Sequence, residues 1–433
     1  MNSLTDLREV VDVVIGVDTH VHTHSAAVIN AATGGVLGEI TVEATAAGYA
    51  ELVEFANDYP MLRAWAIEGT GGHGAGLSRR LLESSELVVE LDPPKRSARR
   101  NGAKSDPLDA IRAAREAMAR PRSGTPRTGG ERQALSVLLA ARRSAINAST
   151  EAQQQVFSLV IAAPEPIRVR FRGHKLAVML NPAAKLRVQS AWDVETTSTV
   201  VALRTLARRA HAILKEAREL QKAILAIIGS WRPDLLEEFG VAPIVAATVL
   251  CAWSHPGRIH SEAAFAMLAG VAPIPANSGQ VTTRFRLNHY GDRQLNRALH
   301  TVVQSRIQYQ PATRDYVARR TAEGKTAREI KRCLARYIAR DLYRLLESTP
   351  QLLDKAIGAS HIVLADRGMR GRSRGGNPSL GRYVPRATYV AYAPPTGGYT
   401  DGRAAVATSR IRGDPSWRGP RALPAGRYAA NRT

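Results

Sequence analysis

The opening part of the chain alternates short, apolar, β-branched runs with helical segments, and this alternation restricts the possible folds more than any other feature. The run VVDVVIGVD, from Val10 to Asp18, is apolar and β-branched and ends at an acidic residue. These properties are typical of a buried strand whose end leads to a functional site. We therefore predict a strand here, with Asp18 at its carboxyl end.

Further strands and helices are predicted as far as residue 91. Two runs, Ser25 to Asn30 and Val36 to Val42, flank the turn-like sequence ATGG and predict a hairpin. Beyond it we predict a helix over Ala46 to Asn57, a strand over Arg63 to Glu68, a helix over Gly74 to Ser84 and a strand over Leu87 to Leu91. A meander followed by alternating helices and strands predicts an α/β sheet that is covered by helices.

The rest of the chain divides by composition. Pro121 to Gly130 is rich in Pro and Gly and predicts a linker. Two long amphipathic helices, Glu131 to Ala162 and Thr196 to Ile228, predict a helical hairpin or coiled coil used for assembly, with a plain helical bundle as the alternative. We predict four regions: an α/β domain over 1–120, a linker and long helical region over 121–231, a mainly α domain over 232–346, and a disordered Arg/Gly/Pro-rich tail over 347–433.

The charge of the chain indicates a polyanionic partner. Sixty Lys and Arg residues face 38 Asp and Glu, for a net charge of +22 and a pI near 10.6. Nucleic acid is the leading candidate. A basic membrane-binding protein is the competing interpretation, but the sequence has no long apolar run and no apolar signal core. We expect a soluble, intracellular protein that is not associated with a membrane.

The heptapeptide KSDPLDA, Lys104 to Ala110, sets two aspartates three residues apart at a predicted helix start. One interpretation is capping, because Ser105 or Asp106 can serve as N-cap and Pro107 suits the first helical position. The other interpretation is a metal site, since Asp106 and Asp109 would share one face of the helix.

Four carboxylates are candidates for such a site: Asp18, Glu68, Asp106 and Asp109. Two like charges 4 Å apart repel by about 4 kcal/mol at an effective dielectric of 20, so converging carboxylates need a cation or shifted pKa values. Oxygen ligands favour Mg²⁺ or Mn²⁺, which support phosphodiester chemistry. His20, His22 and His24 would share a face on a strand and could also suggest a metal, but we favour edge or rim positions for them. Cys251 and Cys333 lack metal-ligand spacing.

Two basic segments are candidate nucleic-acid contacts. PPKRSARRNGAK, which leads into the helix of Asp106, contains Lys95, Arg96, Arg99, Arg100 and Lys104. The second segment follows Ser278, whose Ser-Gly pair is an ordinary turn signal on its own. It contains Arg284, Arg286, Arg293 and Arg297. A solvated basic face and phosphate contact are both open for these arginines.

In order and spacing, the motifs GVDTH, AIEGTG and KSDPLDA resemble the Asp, Glu, Asp, Asp signature of the DEDD transposases of bacterial insertion sequences, the IS110 family. The resemblance implies an RNase H-like, RuvC-like first domain with Asp18, Glu68, Asp106 and Asp109 as catalytic metal ligands. The stretch from Gly270 to Leu299 resembles the second region of the family. On that match Ser278 corresponds to the catalytic serine of a mainly α transposase domain.

The resemblance covers roughly Val13 to Leu346 and implies a transposase that cuts and rejoins donor and target DNA. It further implies guidance by a structured bridge RNA and a place in the bacterial cytoplasm, associated with the nucleoid. Because such a reaction exchanges four strands, we expect a dimer or tetramer. A junction-resolving endonuclease, which would need the carboxylates but not the serine, is one alternative. A non-catalytic nucleic-acid scaffold is another.

Overall fold

The structure is a computed structural model that describes residues 6–91, 105–275, 285, 286, 288 and 290–348. Of residues 285 and 286 it describes the backbone. The predicted tail lies outside the described residues from 349 onward.

The first part of the chain forms a mixed sheet of five strands within the described residues. The strands are β1 (Val13–Thr19), β2 (Thr23–Asn30), β3 (Val36–Glu43), β4 (Arg63–Glu68) and β5 (Leu87–Leu91). Their order across the sheet is β3-β2-β1-β4-β5. The first three strands are antiparallel neighbours, whereas β4 runs parallel to both β1 and β5. The carboxyl ends of β1, β4 and β5 therefore meet at one edge of the sheet.

Helices cover both faces of this sheet. They are α1 (Ala46–Asn57), α2 (Ala75–Glu83) and α3 (Asp106–Ala119). On one face α3 packs on the small and branched side chains of β1, β4 and β5, among them Val14, Ala66 and Val89. On the other face Leu52 of α1 and Leu77 of α2 pack on the opposite side chains of the same strands, including Trp65. Apolar residues are buried on both sides, which explains why these strands read as continuous apolar runs.

This architecture confirms the predicted fold class. The mixed five-stranded sheet with helices on both faces is an RNase H-like fold, and the remainder of the described chain is mostly helical. The predicted bounds of α1, β4 and β5 agree with the structure residue for residue.

A long helical hairpin follows. It consists of α4 (Gly130–Ala162), α5 (Glu165–Arg168), α6 (Leu176–Ala184) and α7 (Val194–Trp231). Hydrogen bonds join Arg142 to Gln221 and Ser149 to the carbonyl of Ala210, so residue numbers rise along one helix as they fall along the other. The two long helices are therefore antiparallel, as the hairpin interpretation predicted. Their contact is rich in alanine and valine, which lets the backbones approach closely.

The second half is a helical assembly around an apolar core, to which α4 contributes Leu135 and α7 contributes Ile224 and Ile228. It consists of α8 (Asp234–Glu237), α9 (Pro243–Trp253), α10 (Glu262–Leu268), β6 (Ile274–Pro275), β7 (Phe285–Arg286), α11 (Arg293–Tyr309), α12 (Pro311–Ala322) and α13 (Ala327–Ser348). The central helix α9 is apolar on all sides and lies in the middle of this core. Among the helices that the structure describes, none combines the length and hydrophobicity of a membrane span.

Candidate functional site

Two of the four predicted carboxylates lie at the ends of neighbouring parallel strands. Asp18 is the second-last residue of β1 and Glu68 is the last residue of β4. The register pairs Val17 with Ile67, so the two acidic residues follow directly after a matched pair. Side chains alternate along a strand, which places Asp18 on the same face as Val14 and Glu68 on the same face as Ala66. Both acids therefore lie on the face that α3 covers.

Gly16 brings α3 close to β1. A Cβ at Gly16 would lie 2.0 Å from the carbonyl oxygen of Ala110 and 2.5 Å from the amide nitrogen of Ala114, so the helix backbone rests directly on the glycine. Because Asp106 and Asp109 occupy the first turn of that helix, this contact places them beside Asp18. Ser105 is the N-cap residue and its side chain makes no capping hydrogen bond to the described residues. The two aspartates are thus helical residues and not the cap.

Three side chains that can ligate a metal therefore come together: Asp18, His20 and Asp106. We call them the acidic group. One ligand atom from each lies within 4.8 Å of the others. The Nε2 atom of His20 is 3.1 Å from Oδ2 of Asp18 and 3.4 Å from Oδ1 of Asp106. The Asp18 side chain is 16 % exposed, whereas those of His20 and Asp106 are 45 % and 47 % exposed. Asp18 is therefore the sheltered member of the group, whereas His20 and Asp106 lie on the side that is open to solvent.

Electrostatics in this group favour a bound cation. Burial raises the pKa of Asp18, and the neighbouring charges of Asp109 and Asp106 raise it further, while His20 opposes the shift. A carboxylate that is buried beside like charges is stabilised when a cation lies among them. Two carboxylates and an imidazole within 4.8 Å can together hold a divalent metal ion.

The other two predicted ligands adjoin this group. Nη1 of Arg112 donates to Oδ1 of Asp109 at 2.7 Å, so this carboxylate has a cationic neighbour on its own helix. The Thr19 hydroxyl donates to the backbone carbonyl of Glu68 at 3.0 Å, which holds the ends of β1 and β4 together. Neither carboxylate belongs to the group within 4.8 Å among the described residues, and both stay predicted ligands.

The three histidines do not share a strand face. Strand β1 ends at Thr19 and β2 begins at Thr23, so His20 and His22 lie in the connection between them. His24 is 0 % exposed and stacks on Tyr49 with ring centroids 5.6 Å apart. The edge or rim interpretation is therefore wrong for His24, because β2 lies between two other strands. His20, for which a rim position was predicted, lies beside Asp18 and Asp106. Its position two residues after Asp18 in the sequence could have indicated that it belongs to this group.

The serine region is described only at its base. Gly270 and Gly291 touch there, since a Cβ at Gly291 would lie 2.4 Å from the Cα of Gly270. The amide of Asp292 donates to the carbonyl of Leu268 at 2.6 Å, and the side chain of Asn288 donates to the carbonyl of Met267. These contacts form a neck at which the chain leaves toward β6 and returns from β7.

Several predicted contacts lie outside the described residues. They are Ser278, Arg284, Lys95, Arg96, Arg99, Arg100 and Lys104. Arg286 is described by its backbone, which pairs with Ile274. Arg293 and Arg297 are exposed and lie four residues apart on α11, so they share one face of that helix.

The predicted linker connects the sheet to the second half of the chain. The amide of Glu90 donates to the carbonyl of Gly124 at 2.7 Å, which attaches residues 121–130 to the edge strand β5. Nη2 of Arg258 donates to Oε2 of Glu90 at 3.2 Å, and its Nε donates to the carbonyl of Thr125 at 3.2 Å. The amide of Thr128 donates to the hydroxyl of Ser254 at 3.0 Å. We call residues 121–130 the strap, because they hold the sheet and the helical half together.

Two family models match the chain. Residues 15–161 match a model of DEDD transposases of the IS110 type, described as a transposase. Residues 234–318 match a model described as the transposase IS116/IS110/IS902 family. The first match contains Asp18, Glu68, Asp106 and Asp109, and the second contains Ser278. No curated protein sequence matches the chain.

Proposed function

We propose that this chain, which belongs to the IS110 family of DEDD transposases, cuts and rejoins DNA strands of its insertion element with the acidic group and Ser278. Transposases of this family act on DNA, and the net charge of +22 suits that substrate. The observation that carries the proposal is the convergence of Asp18, His20 and Asp106 on one point at the edge of an RNase H-like sheet.

The acidic group would hold Mg²⁺ or Mn²⁺. Asp18 and Asp106 are the ligands that the geometry supports, and His20 lies where its Nε2 can join them. Glu68 and Asp109 are the two further metal ligands that the sequence predicts. When bound, the ion supplies charge stabilisation to a phosphodiester and assists the leaving oxygen. The high exposure of His20 and Asp106 leaves the open side of the group accessible to a DNA backbone.

Ser278 is the proposed nucleophile. Its Oγ would form a bond to phosphorus while a strand oxygen leaves as a hydroxyl, so the phosphodiester energy is kept in a phosphoserine link. A hydroxyl of another strand can then displace the serine and rejoin the DNA without ATP. Support comes from the family match over 234–318 and from the neck, which holds both ends of the segment that contains Ser278.

Nucleic-acid contact and assembly complete the proposal. Arg293 and Arg297 present two exposed charges on one helix face, and the segment with Lys95, Arg96, Arg99, Arg100 and Lys104 leads into the helix of Asp106. We include a structured bridge RNA as guide, so that base pairing reads sequence and protein reads backbone. Strand exchange between donor and target requires at least two active sites, and the long hairpin offers exposed apolar residues such as Phe157 and Ile161 for a dimer or tetramer.

Substitution of the serine and of one aspartate tests this function. Ser278→Ala should abolish strand joining and any covalent protein-DNA adduct on denaturing gels, while Ser230→Ala, at an exposed serine of α7, should leave both unchanged. Strand cutting that survives Ser278→Ala would favour a junction-resolving nuclease. Full recombination by Asp106→Asn would instead favour a non-catalytic scaffold.

A further inference from the structure

A cavity of about 470 Å³ lies in the helical half between α11 and α13. One wall is the segment from Gly270 to Pro273, which leads from the neck into β6. Asn296 and His300 of α11 form a second wall, and residues of α13 from Lys331 to Tyr337 form the third. We call it the α11–α13 cavity. Its volume lies within the range of roughly 300–1,000 Å³ that is common for small-molecule sites.

The lining combines an apolar surface with cations. Val271, Pro273 and Ala335 supply apolar atoms, and Tyr337 adds an aromatic ring. His300, Lys331 and Arg336 supply nitrogen donors, and none of the described residues that line the cavity is acidic. An apolar wall suits the face of a nucleobase, and adjacent cations suit its phosphate.

Two cationic side chains, Lys331 and Arg336, line the cavity together with His300. Burial lowers the pKa of His300, and the charge of Lys331 lowers it further, so His300 favours its neutral form and is a hydrogen-bonding group of the lining. Nη2 of Arg336 lies 3.4 Å from Oε1 of Glu262, while its Nη1 is buried with no hydrogen-bond partner among the described residues. The Arg336 side chain as a whole is 25 % exposed, so it and Lys331 can supply positive charge to a phosphate in the cavity.

The α11–α13 cavity also lies next to the neck formed by Gly270 and Gly291. Asn296, which lines the cavity, donates from its side chain to the carbonyl of Ala269, next to Gly270 of the neck. A group bound in the cavity therefore rests against the start of the segment that contains Ser278, five residues after Pro273 in the sequence.

We propose that the α11–α13 cavity binds one nucleotide of a single nucleic-acid strand, with the base on Val271 and Pro273 and the phosphate at Lys331 and Arg336. This inference rests on the proposed function, because it names a subsite for a nucleic-acid strand of that reaction, either the DNA on which Ser278 acts or the guide RNA. DNA and guide RNA share the required chemistry, so the experiment has one arm for each.

Cys333 provides a native probe, because it lines the cavity and is partly exposed. The chain has one other cysteine, Cys251, and burial raises the pKa of its thiol to about 11. The full chain is treated with iodoacetamide in the absence of divalent metal, and alkylation of each cysteine is followed by mass spectrometry. Saturating single-stranded DNA or RNA of about 12 nucleotides is present or absent, and blunt duplex DNA is the third arm.

We expect a single strand to slow alkylation of Cys333 about tenfold or more, since thiol reactivity requires access. Alkylation of Cys251 should not change, and duplex DNA should protect Cys333 little. Protection by RNA and not DNA would assign the cavity to the guide, and the reverse would assign it to the substrate strand. The proposal is overturned if neither DNA nor RNA changes the rate at which iodoacetamide alkylates Cys333, at strand concentrations that saturate binding in a fluorescence anisotropy assay.

A matched pair of variants on α13 separates the cavity from a general basic surface. Lys331→Gln should weaken single-strand binding about fivefold and reduce the salt slope by about 0.7, with loss of Cys333 protection. Arg328→Gln removes an exposed charge from the same helix outside the lining and should keep full protection at saturation. Equal behaviour of the two variants contradicts the proposal. The alkylation assay involves no cleavage of DNA. A negative result therefore contradicts the cavity proposal alone, whereas recombination that survives Ser278→Ala would contradict the proposed function.

Discussion

Asp18 and Glu90 are both half-buried carboxylates near the carboxyl ends of parallel strands, yet they have opposite electrostatic surroundings. Asp18 lies beside Asp106 and Asp109, and burial and these like charges raise its pKa. Glu90 accepts hydrogen bonds from Thr70 at 2.8 Å and from Arg258 at 3.2 Å, and Arg127 lies 3.8 Å away. The proposed metal ion would supply a cation to the first carboxylate, whereas the second has Arg258 and Arg127 of the chain itself as cationic neighbours.

The face of the sheet decides which surroundings each residue has. Asp18 points to the face of α3, and the contact of that helix with Gly16 puts two more acids beside it. Glu90 alternates with Val89, which packs toward α3, so Glu90 points to the opposite face. There the strap and Arg258 meet it. Strand ends of similar sequence can therefore form a ligand site or a structural ion pair, and the element packed against each one decides which.

The largest expected effect comes from Asp18→Asn. The substitution removes the proposed ligand that is the most sheltered of Asp18, His20 and Asp106, so Mn²⁺ binding measured by isothermal titration calorimetry should weaken at least about 100-fold and recombination should be lost. Without metal the variant should unfold at a slightly higher temperature than the wild type, because a buried carboxylate beside like charges is removed. A metal-free variant that is clearly less stable would mean that Asp18 is held by structural contacts, as Glu90 is.

Gly16→Ala tests how the acidic group is built. The new methyl group would overlap the backbone of Ala110 and must push α3 off β1, at a cost of about 1–3 kcal/mol or more. We expect a lower melting temperature together with weaker Mn²⁺ binding, although no ligand is changed. Gly129→Ala is the control, since a Cβ at Gly129 would meet no atom of the described residues within 4 Å. Unchanged metal affinity in Gly16→Ala would contradict placement of the site by helix packing.

Glu90→Gln should affect stability and not metal binding. The side chains of Glu90 and Arg258 are each 15 % exposed. Loss of the carboxylate charge leaves a poorly solvated guanidinium and should lower the free energy of unfolding by about 1–3 kcal/mol. Chemical denaturation measures this cost. Glu83→Gln, at an exposed glutamate of α2, should cost less than about 0.5 kcal/mol. If Glu90→Gln instead abolished Mn²⁺ binding, the distinction between the two carboxylates would fail.

The smallest expected effect is a pH dependence of the strap. Burial lowers the pKa of His255 from 6.5 to about 4, and the charge of Arg258 adds to the shift. The unfolded chain therefore binds more protons between these values, so the stability contributed by neutral His255 is complete above pH 6.5 and is lost as the pH falls toward 4. The slope is at most about 1.4 kcal/mol per pH unit.

Comparison of melting temperatures between pH 7 and pH 5 checks this dependence. His255 contacts Thr125 of the strap through Nε2 at 3.3 Å. Replacement by glutamine should make the stability curve flatter than that of the wild type. His174→Gln, at an exposed histidine, should leave the curve unchanged. Parallel curves for the wild type and His255→Gln would show that the strap does not sense protonation of this residue.

Much of the sheet could be predicted because its signals are local. Arg63–Glu68 and Leu87–Leu91 were predicted residue for residue, since a buried strand must be a short apolar run between turn signals. The positions of Asp18 and Asp106 at a strand end and a helix start followed from the same patterns. The helical second half was predicted only as a region, because its core is assembled from helices that are distant in sequence.

Two features of the sites could not be predicted in this way. A rim position was predicted for His20. Its contact with Asp106 could not be predicted, because that contact depends on how α3 packs on β1. Pro121 to Gly130 was predicted as a linker, but it is a strap that makes hydrogen bonds on both sides. Composition indicates that such a segment is irregular, and it does not indicate what the segment touches.

The sequence by itself determined where the acidic residues stand on their strands and helix, because hydrophobic periodicity and turn residues act over a few positions. Only the tertiary structure decided what each carboxylate faces. Arg258 is 168 residues from Glu90, and Asp106 is 88 residues from Asp18 in the numbering. Charges interact through space, so the pairing that separates a metal site from an ion pair exists only once the chain has folded.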